Sequence, residues 1–317
     1  MATRNPDVVS ETPIRASRRA GPNTMKGIPM RKSLIGILAV TGLTLAACGG
    51  SDSVSDTTAA AGGSGNECTT GKTLAEGTLT IGTGNPAFSP WVENDAPESG
   101  EGFEAAVAYA VATAMGFDNA NVAWVRTSFD EAVQPGAKNF DFNLQQYSIT
   151  EERKQTVSFS DPYYSTNQAI VGYADSAAVG ATTVEALKEL KFGVQSGTTS
   201  LQFLVDNIAP TTEPYVYDDN AAAKAALEAK QIDAIVVDLP TALYISAVEI
   251  EGSTVIGQFP AGDGMAPDQF GLVFDLDNPL VDCVNVALQS IKDSGELATI
   301  EQTWLSENIS APVISLG

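Results

Sequence analysis

The feature that most limits the fold of this chain is an alternation of short apolar strand-like segments with helical segments between residues 79 and 307. Over 103–115 the apolar residues recur at the spacing of a helix that buries one face. Such alternation predicts an α/β protein whose sheets are covered by helices on both faces. The predicted strands are 79–81, 122–126, 140–144, 169–173, 191–194, 215–217, 232–237, 254–257 and 270–274; the other predicted helices are 184–190, 220–230, 279–294 and 297–307.

So many strands require two sheets, and the order of the segments indicates where the chain divides. The strands from 191 to 257 and the helices between them form a self-contained set. We therefore predict one lobe from 78–172 together with 268–317, and a second lobe at 173–267. Two strands that cross between lobes are typical of a hinged clamp, whose ligand lies in the cleft at the carboxyl ends of strands.

The first 47 residues have the composition of an export signal. A basic segment at 30–32 precedes a mostly apolar stretch at 34–47. That stretch is too short to span a bilayer and has the length of the apolar region of a signal peptide. Residues 1–29 are polar and rich in proline, which favours a translation start at Met25 or Met30.

The apolar stretch ends in LAACG (45–49), which resembles a bacterial lipobox. In a lipobox the peptidase cuts before the cysteine, here Cys48, and a lipid is attached to its sulfur. An ordinary signal peptide followed by a chance cysteine is the alternative. The lipobox interpretation makes Cys48 a lipidated cysteine, and the small and polar residues that follow it without apolar periodicity predict a flexible tether up to residue 77. It also places the protein at the extracytoplasmic face of the cell membrane, held by the lipid alone.

Charge and composition exclude several classes of protein. The chain has 17 basic residues, 39 acidic residues and no histidine. The absence of histidine excludes Ser-His-Asp hydrolysis and His-ligated metals, and three cysteines cannot form a four-cysteine zinc site. The acidity disfavours nucleic acid as a partner. We expect no metal and no cofactor, and we expect a monomer.

The cysteines suggest a covalent link. If Cys48 carries the lipid, Cys68 and Cys283 remain. An even number of cysteines in an exported protein indicates a disulfide, because the compartment is oxidising. Two buried free thiols are the alternative.

Seven short motifs between residues 79 and 305 resemble, in order and spacing, the family 3 extracellular solute-binding proteins of amino-acid ABC importers. They are LTIGT (79–83), FSPW (88–91), GFE (102–104), SITEERK with VSFSDPYY (148–164), FGVQSGTT (192–199), DAIVVD (233–238), and GEL with WL (295–305). The resemblance implies a type II clamp of the periplasmic-binding-protein kind. It also implies that the protein captures a free amino acid and delivers it to a permease and its ATPase. A sensory ligand-binding protein and a dehydratase-like enzyme on the same fold are the alternatives.

The resemblance also implies a site for a zwitterion. Arg153 matches the arginine that binds the ligand carboxylate, and the guanidinium fork suits this role. Ser148 matches a second carboxylate contact. Asp238 matches the acid that binds the ammonium group. A surface ion pair of Arg153 with a neighbouring glutamate, and an N-cap role for Asp238, are the alternatives.

Further residues match the second lobe and the walls of the cleft. Thr199 follows a glycine at the start of a predicted helix, where it contacts the carboxylate in the family or simply caps the helix. Phe88 and Phe129 match rings that enclose the ligand side chain, and Trp91 lies close by. Aromatic residues of this kind also serve as core.

The sequence departs from the family at positions that bear on the substrate. Gln145 and Gln146 stand where a small pair is usual, and Gln195 stands where some members have a basic residue. We expect Gln146 and Gln195 to enter the pocket and favour a polar, uncharged side chain such as that of glutamine. The strong negative charge leaves a cationic ligand open.

Overall fold

A computed structural model of the chain describes residue 63 and residues 65–262, 266–305 and 311–316. The predicted signal peptide, Cys48 and the greater part of the predicted tether therefore lie outside the described residues. None of the helices in these ranges has the length and hydropathy that crossing a lipid bilayer requires.

Lobe 1 contains one five-stranded sheet. Its elements are β1 (Leu79–Gly84), β2 (Val122–Thr127), β3 (Phe142–Asn143), β4 (Ser158–Phe159), β12 (Val273–Phe274), α1 (Phe103–Ala114), α2 (Phe129–Val133), α6 (Val281–Asp293) and α7 (Glu296–Trp304). The strand order is β2-β1-β3-β12-β4. The adjacent strands β2, β1 and β3 are parallel, and β12 runs antiparallel to β3 and β4.

The core of lobe 1 forms where the helices α1, α6 and α7 pack against one another and share one apolar cluster with the sheet. Phe103, Val107 and Val111 of α1 are fully buried, as their spacing predicts. Alanines on the remaining faces of α1 are buried too, because small side chains let the neighbouring helices approach closely. The predicted strand 270–274 is interrupted, and only its last two residues belong to this sheet.

Lobe 2 contains a second five-stranded sheet. Its elements are β6 (Gln168–Tyr173), β7 (Phe192–Gln195), β8 (Tyr215–Tyr217), β9 (Ala234–Asp238), β10 (Ser253–Phe259), α3 (Thr199–Phe203), α4 (Asn220–Glu228) and α5 (Leu239–Tyr244). The strand order is β10-β6-β9-β7-β8. Separate apolar clusters cover the two faces of this sheet. Because β9 is buried on both faces, all of its residues up to Asp238 are apolar. The segment 184–187, predicted as the start of a longer helix, is a short 3₁₀ turn.

The first crossing between the lobes lies earlier than the predicted boundary at 173. The strand β5 (Tyr164–Thr166) pairs with β11 (Asp268–Phe270) in a separate two-stranded ladder. Residue 168 already belongs to the sheet of lobe 2, because β6 pairs with both β9 and β10. Chain order alone cannot assign β6, since both of its faces are buried and its partners are 60 or more residues away.

The carboxyl-terminal residues 311–316 also depart from the prediction, which placed them in lobe 1. Val313 forms a parallel bridge with Gln258 of β10, and Ser315 forms one with Thr183. Ile314 is 2% exposed and belongs to a core cluster of lobe 2. After α7 in lobe 1, the chain therefore returns to lobe 2, where the apolar Ile314 covers part of its core.

Residues 65–77, predicted as part of the flexible tether, are folded onto lobe 1. The backbone N–H groups of Gly65 and Asn66 donate to the carbonyls of Gly116 and Met115, both at 3.0 Å. The N–H of Leu74 donates to the Asp141 carboxylate at 2.7 Å. Composition suggested a tether because this segment lacks apolar periodicity, but backbone hydrogen bonds do not depend on side-chain pattern.

Cys68 and Cys283 form a disulfide, with their Cα atoms 5.8 Å apart. The bridge joins the segment before β1 to α6 and closes a loop over a sequence separation of 215 residues. A loop of this length corresponds to a stabilisation of about 5 kcal/mol in the chain-entropy model.

We expect Cys68→Ser to lower the free energy of unfolding by several kcal/mol, and Cys283→Ser to lower it by a similar amount. The double variant should resemble either single variant, because one bond is lost in each case. Denaturant unfolding of the four proteins measures this. Two reactive thiols in unfolded, non-reduced protein with Cys48 replaced by alanine would contradict the bridge.

Candidate functional site

A cavity of about 270 Å³ lies between the two lobes. Its walls include the ends of β1, β7 and β9 and the amino-terminal residues of α2, α3 and α4. The position agrees with the expectation that ligands of such folds bind at the carboxyl ends of strands. All nine side chains predicted for the site line this cavity: Phe88, Trp91, Phe129, Gln146, Ser148, Arg153, Gln195, Thr199 and Asp238.

Arg153 projects into the cavity from lobe 1. One guanidinium nitrogen, Nη1, donates to the Ser148 carbonyl at 2.7 Å, and the other, Nη2, donates to the Gly197 carbonyl of lobe 2 at 2.9 Å. The guanidinium carbon lies 5.4 Å from the centre of the Phe129 ring. No described carboxylate lies within 4 Å of Arg153, so the structure does not form the surface ion pair that was the alternative to a ligand role. Burial lowers the pKa of Arg153, but the group remains cationic at any physiological pH.

Gly197 is required where the lobes meet at Arg153. Its φ is +67°, and a Cβ added there would lie 2.4 Å from a carboxylate oxygen of Asp130 in lobe 1. A side chain at this position would therefore strain the backbone beside the carbonyl that accepts from Arg153, and the Asp130 carboxylate would have to move. Next to it, the hydroxyls of Ser148 in lobe 1 and Thr199 in lobe 2 are 3.1 Å apart.

Asp238 projects from the end of β9 in lobe 2 and caps α5. Its Oδ1 accepts from the backbone N–H of Thr241 at 2.9 Å, and its Oδ2 accepts from the Thr241 hydroxyl at 2.7 Å. The N-cap alternative is therefore true, and the carboxylate lines the cavity at the same time. No described lysine or arginine lies within 4 Å of it. Burial raises the pKa of Asp238 to about 6, although the hydrogen bonds from Thr241 oppose the shift.

Gln146 was expected to offer its amide to the cavity, but that amide is already engaged. Its Nε2 and its backbone N–H both donate to Glu104, a carboxylate that is 2% exposed. The hydroxyl of Tyr163 donates to the same carboxylate. Burial raises the pKa of Glu104 to about 7, and these three donors counteract part of that rise. Gln146 has φ +53°, a backbone conformation that is uncommon for a residue with a side chain and that such contacts hold in place.

Gln195 is different, because its side chain lines the cavity without an internal partner. Its side-chain amide has no hydrogen bond to any described residue, although the residue is only 7% exposed. The Oε1 atom of Gln168 is also buried and unpaired within the described structure. The Gln195 amide can therefore bind a ligand directly, whereas Gln168 has only its Oε1 unpaired, because its Nε2 donates to Asp268.

The three predicted aromatic residues occupy different environments. Phe129 stacks on Tyr147 with ring centres 4.5 Å apart, and Phe88 has the Lys224 ammonium 5.2 Å from its ring centre. Trp91 is 1% exposed and makes edge contacts with three core rings, so it is a core residue as well as a wall of the cavity. Its indole N–H donates to Thr241 Oγ1 of lobe 2 at 2.8 Å.

The family of the chain can be identified by comparison with known proteins. The model of the bacterial extracellular solute-binding proteins, family 3, matches residues 79–307. The chain belongs to this family. The match spans both lobes and every residue predicted for the site, so the resemblance inferred from the seven motifs is confirmed.

Relatives within family 3 bind amino acids. The arginine-binding periplasmic protein of Mannheimia haemolytica is 31% identical over 227 residues, which cover 69% of this chain and 88% of that protein. Solved structures of an ancestral arginine-binding protein match with TM-scores of 0.59 with arginine and 0.60 with glutamine. Their identities are 30% and 31%; they cover 72% and 74% of this chain and 98% and 100% of the solved chains.

Sequence reasoning missed several polar residues of this family 3 site. Glu104 was part of a quoted motif, but only its burial beside Gln146 shows that it belongs to the floor of the cavity. Asp218 and Asp219 line the cavity at the start of α4. Asp219 caps that helix by accepting from the Ala222 N–H at 2.8 Å, and an aspartate before an alanine-rich helix is a signal that could have located it.

Proposed function

We propose that this protein is the amino-acid-binding component of an ABC importer. It captures a free L-amino acid between its lobes and delivers it to a membrane permease driven by an ATPase. The observation that carries the proposal is that Arg153 and Asp238 line the same cavity without forming an ion pair. These are opposite charges without ionic partners among the described residues, from different lobes, lining one cavity.

A zwitterion fits this arrangement of charges. Arg153 has guanidinium N–H groups beyond the two that bind carbonyls, and these can hold a carboxylate. The hydroxyls of Ser148 and Thr199 lie on either side of the interlobe boundary and supply further donors. Asp238 supplies the anion for the ammonium group. Because the two lobes each provide one charge, a zwitterion stabilises the closed arrangement.

The charges along the rest of the cavity favour a ligand side chain that is polar and not anionic. Four carboxylates line the cavity, and Arg153 is the single cation among its lining residues. If Arg153 binds the carboxylate, an acidic ligand side chain has no partner. The amide of Gln195 and the carboxylate of Asp218 instead suit glutamine or a basic amino acid. The arginine- and glutamine-bound ancestral structures are relatives of this kind.

The enzyme alternative is less well supported, although Glu104 and Asp238 both have raised pKa values, as a general acid would. Both oxygens of Glu104 accept hydrogen bonds from Gln146 and Tyr163. Both oxygens of Asp238 accept from Thr241. Groups held in this way by the protein orient a ligand more readily than they exchange protons with it. The arginine-binding relative is likewise a binding protein by name.

A thermal-shift screen of the purified protein against the common amino acids tests the function. A ligand at 100 times its Kd stabilises the folded state by about 2.7 kcal/mol. We expect shifts with glutamine, arginine or lysine and none with glutamate or aspartate. If refolded protein, freed of any co-purified ligand, is stabilised by no amino acid, the proposal is wrong.

We propose further that a lipid on Cys48 anchors the protein at the outer face of the cell membrane, since LAACG (45–49) resembles a lipobox. Cys48→Ala should release the protein from the membrane fraction. Ser51→Ala, two residues beyond the lipobox, is a control that should stay bound. Fractionation with immunoblotting measures both, and a wild-type protein without attached lipid would refute the anchor.

A further inference from the structure

A hydrogen bond crosses between the lobes behind the zwitterion site. The indole nitrogen of Trp91 in lobe 1 lies 2.8 Å from Oγ1 of Thr241 in lobe 2. An indole nitrogen can only donate, so the Thr241 oxygen is the acceptor. Both residues are buried, Trp91 at 1% and Thr241 at 6% exposure, so water does not compete for the bond.

The direction of this bond determines where the proton of the Thr241 hydroxyl points. A hydroxyl has one proton, and Oγ1 lies 2.7 Å from Oδ2 of Asp238. Since Trp91 supplies the proton on the other side, the Thr241 proton points to Asp238. The three groups form a chain from indole to hydroxyl to carboxylate, with Asp238 at the cavity end. The Thr241 backbone N–H fixes the second oxygen of Asp238 at 2.9 Å.

The position of Trp91 is rigid on the side of lobe 1. Its ring makes edge contacts with Phe103, Tyr164 and Phe270 at centre distances of 5.7 to 5.8 Å. A phenylalanine at this position could keep an aromatic ring in the cluster, but it has no N–H to donate to lobe 2. The ring of Trp91 therefore packs within lobe 1, and its N–H adds a hydrogen bond to lobe 2.

We propose that Trp91 is a closure latch and a positioning residue: its indole N–H joins lobe 1 to Thr241 of lobe 2 and orients Asp238 for the ligand ammonium. The proposal rests on the proposed function for its ligand, but the latch itself is a property of the protein. The bond forms only when the lobes approach, so it stabilises the closed state and slows release of the ligand.

Two substitutions separate the latch from packing. Trp91→Phe keeps an aromatic ring in the cluster and removes the indole donor. Thr241→Val keeps the shape of the side chain and removes the hydroxyl. A net hydrogen bond corresponds to roughly a three- to tenfold change in affinity. We expect Trp91→Phe to raise the Kd by about this factor, mainly through faster dissociation. The double variant should be no weaker than the weaker single variant, and Thr241→Ser should bind like wild type.

Trp124→Phe is the matched control. Its indole N–H donates to the Tyr109 hydroxyl at 3.2 Å within lobe 1, and Trp124 does not line the cavity. This variant loses the same kind of bond without affecting closure, so its Kd should equal that of wild type. If Trp91→Phe binds and dissociates like wild type while Thr241→Val is weakened, Thr241 acts only within lobe 2 and the latch is wrong.

A spectroscopic measurement tests the latch through a readout other than affinity. Three indole N–H signals are expected in protein with ¹⁵N-labelled tryptophan, and Trp91→Phe identifies one of them. The amino acid that stabilises the protein in the thermal screen should slow hydrogen exchange of the Trp91 indole, and Thr241→Val should abolish this protection. If no amino acid binds, the proposed function fails. The latch is then tested in the unliganded protein, where exchange of the Trp91 indole proton should be faster in Thr241→Val than in wild type. An unchanged exchange rate in Thr241→Val overturns it in either case.

Discussion

Arg153→Ala should bind amino acids at least about 30-fold more weakly than wild type in titration calorimetry. The ligand carboxylate would then be buried without its cation, a loss of about 2–5 kcal/mol or roughly 30- to 5,000-fold in Kd. Arg153→Lys should also bind poorly. A lysine ammonium cannot reach the Ser148 and Gly197 carbonyls and still present a fork to the ligand.

Lys154→Ala is the matched control for this prediction. Lys154 is the next residue, carries the same charge and pairs with Glu151 at the surface at 2.7 Å. Its loss should leave the Kd nearly unchanged, since exposed ion pairs contribute little. Arg126 is unsuitable as a control, because its Nη1 donates to the carbonyl of Gly84, a residue of the cavity wall. Wild-type affinity in Arg153→Ala would refute the carboxylate site.

Asp238→Asn should lose about 3–5 kcal/mol of binding, because the ligand ammonium would be buried without an anion. The same substitution should make the protein without ligand more stable at pH 8. The pKa of Asp238 is raised to about 6 from an ordinary value near 4, so the ionised form is unfavourable in the folded protein. Asparagine removes this cost while keeping an oxygen to accept from the Thr241 N–H.

The sign of the pH dependence follows from the same shift. A carboxyl whose pKa is raised by folding adds stability below its unfolded pKa, near 4, and loses it as pH rises through about 6. The stability of wild type relative to Asp238→Asn should therefore increase as the pH falls from 8 to 4. Ligand binding runs in the opposite direction, since the ammonium requires ionised Asp238, so wild-type affinity should weaken below about pH 6.

Denaturant unfolding and calorimetry at several pH values measure both effects. Asp206→Asn, an exposed carboxylate on lobe 2 that accepts from Gln202, controls for the change in net charge. Parallel stability curves for wild type and Asp238→Asn would contradict the burial of this charge. Wild-type affinity in Asp238→Asn would contradict the proposal that Asp238 binds the ligand ammonium group.

Some of the site could be read from the sequence because its signals are local. Arg153 lies in a short motif after a turn, and Asp238 ends an apolar strand shortly before a proline. The few residues around each of them therefore indicate its position in the fold. The two lobes and most element bounds also follow from periodicity, which is a property of short windows. The resemblance to family 3 then joined these separate signals into one site, whose ligand roles remain predictions.

The sequence by itself determined the α/β class, because alternation of strands and helices is a local signal, and its resemblance to family 3 indicated the charged pair; the count of cysteines favoured a disulfide over two free thiols. Only the tertiary structure decided the sheet of β6, the return of residues 311–316 to lobe 2 and the bond from Trp91 to Thr241. The last of these joins residues 150 positions apart. No short-range pattern records such a pairing, since it depends on which apolar surfaces meet when the whole chain folds.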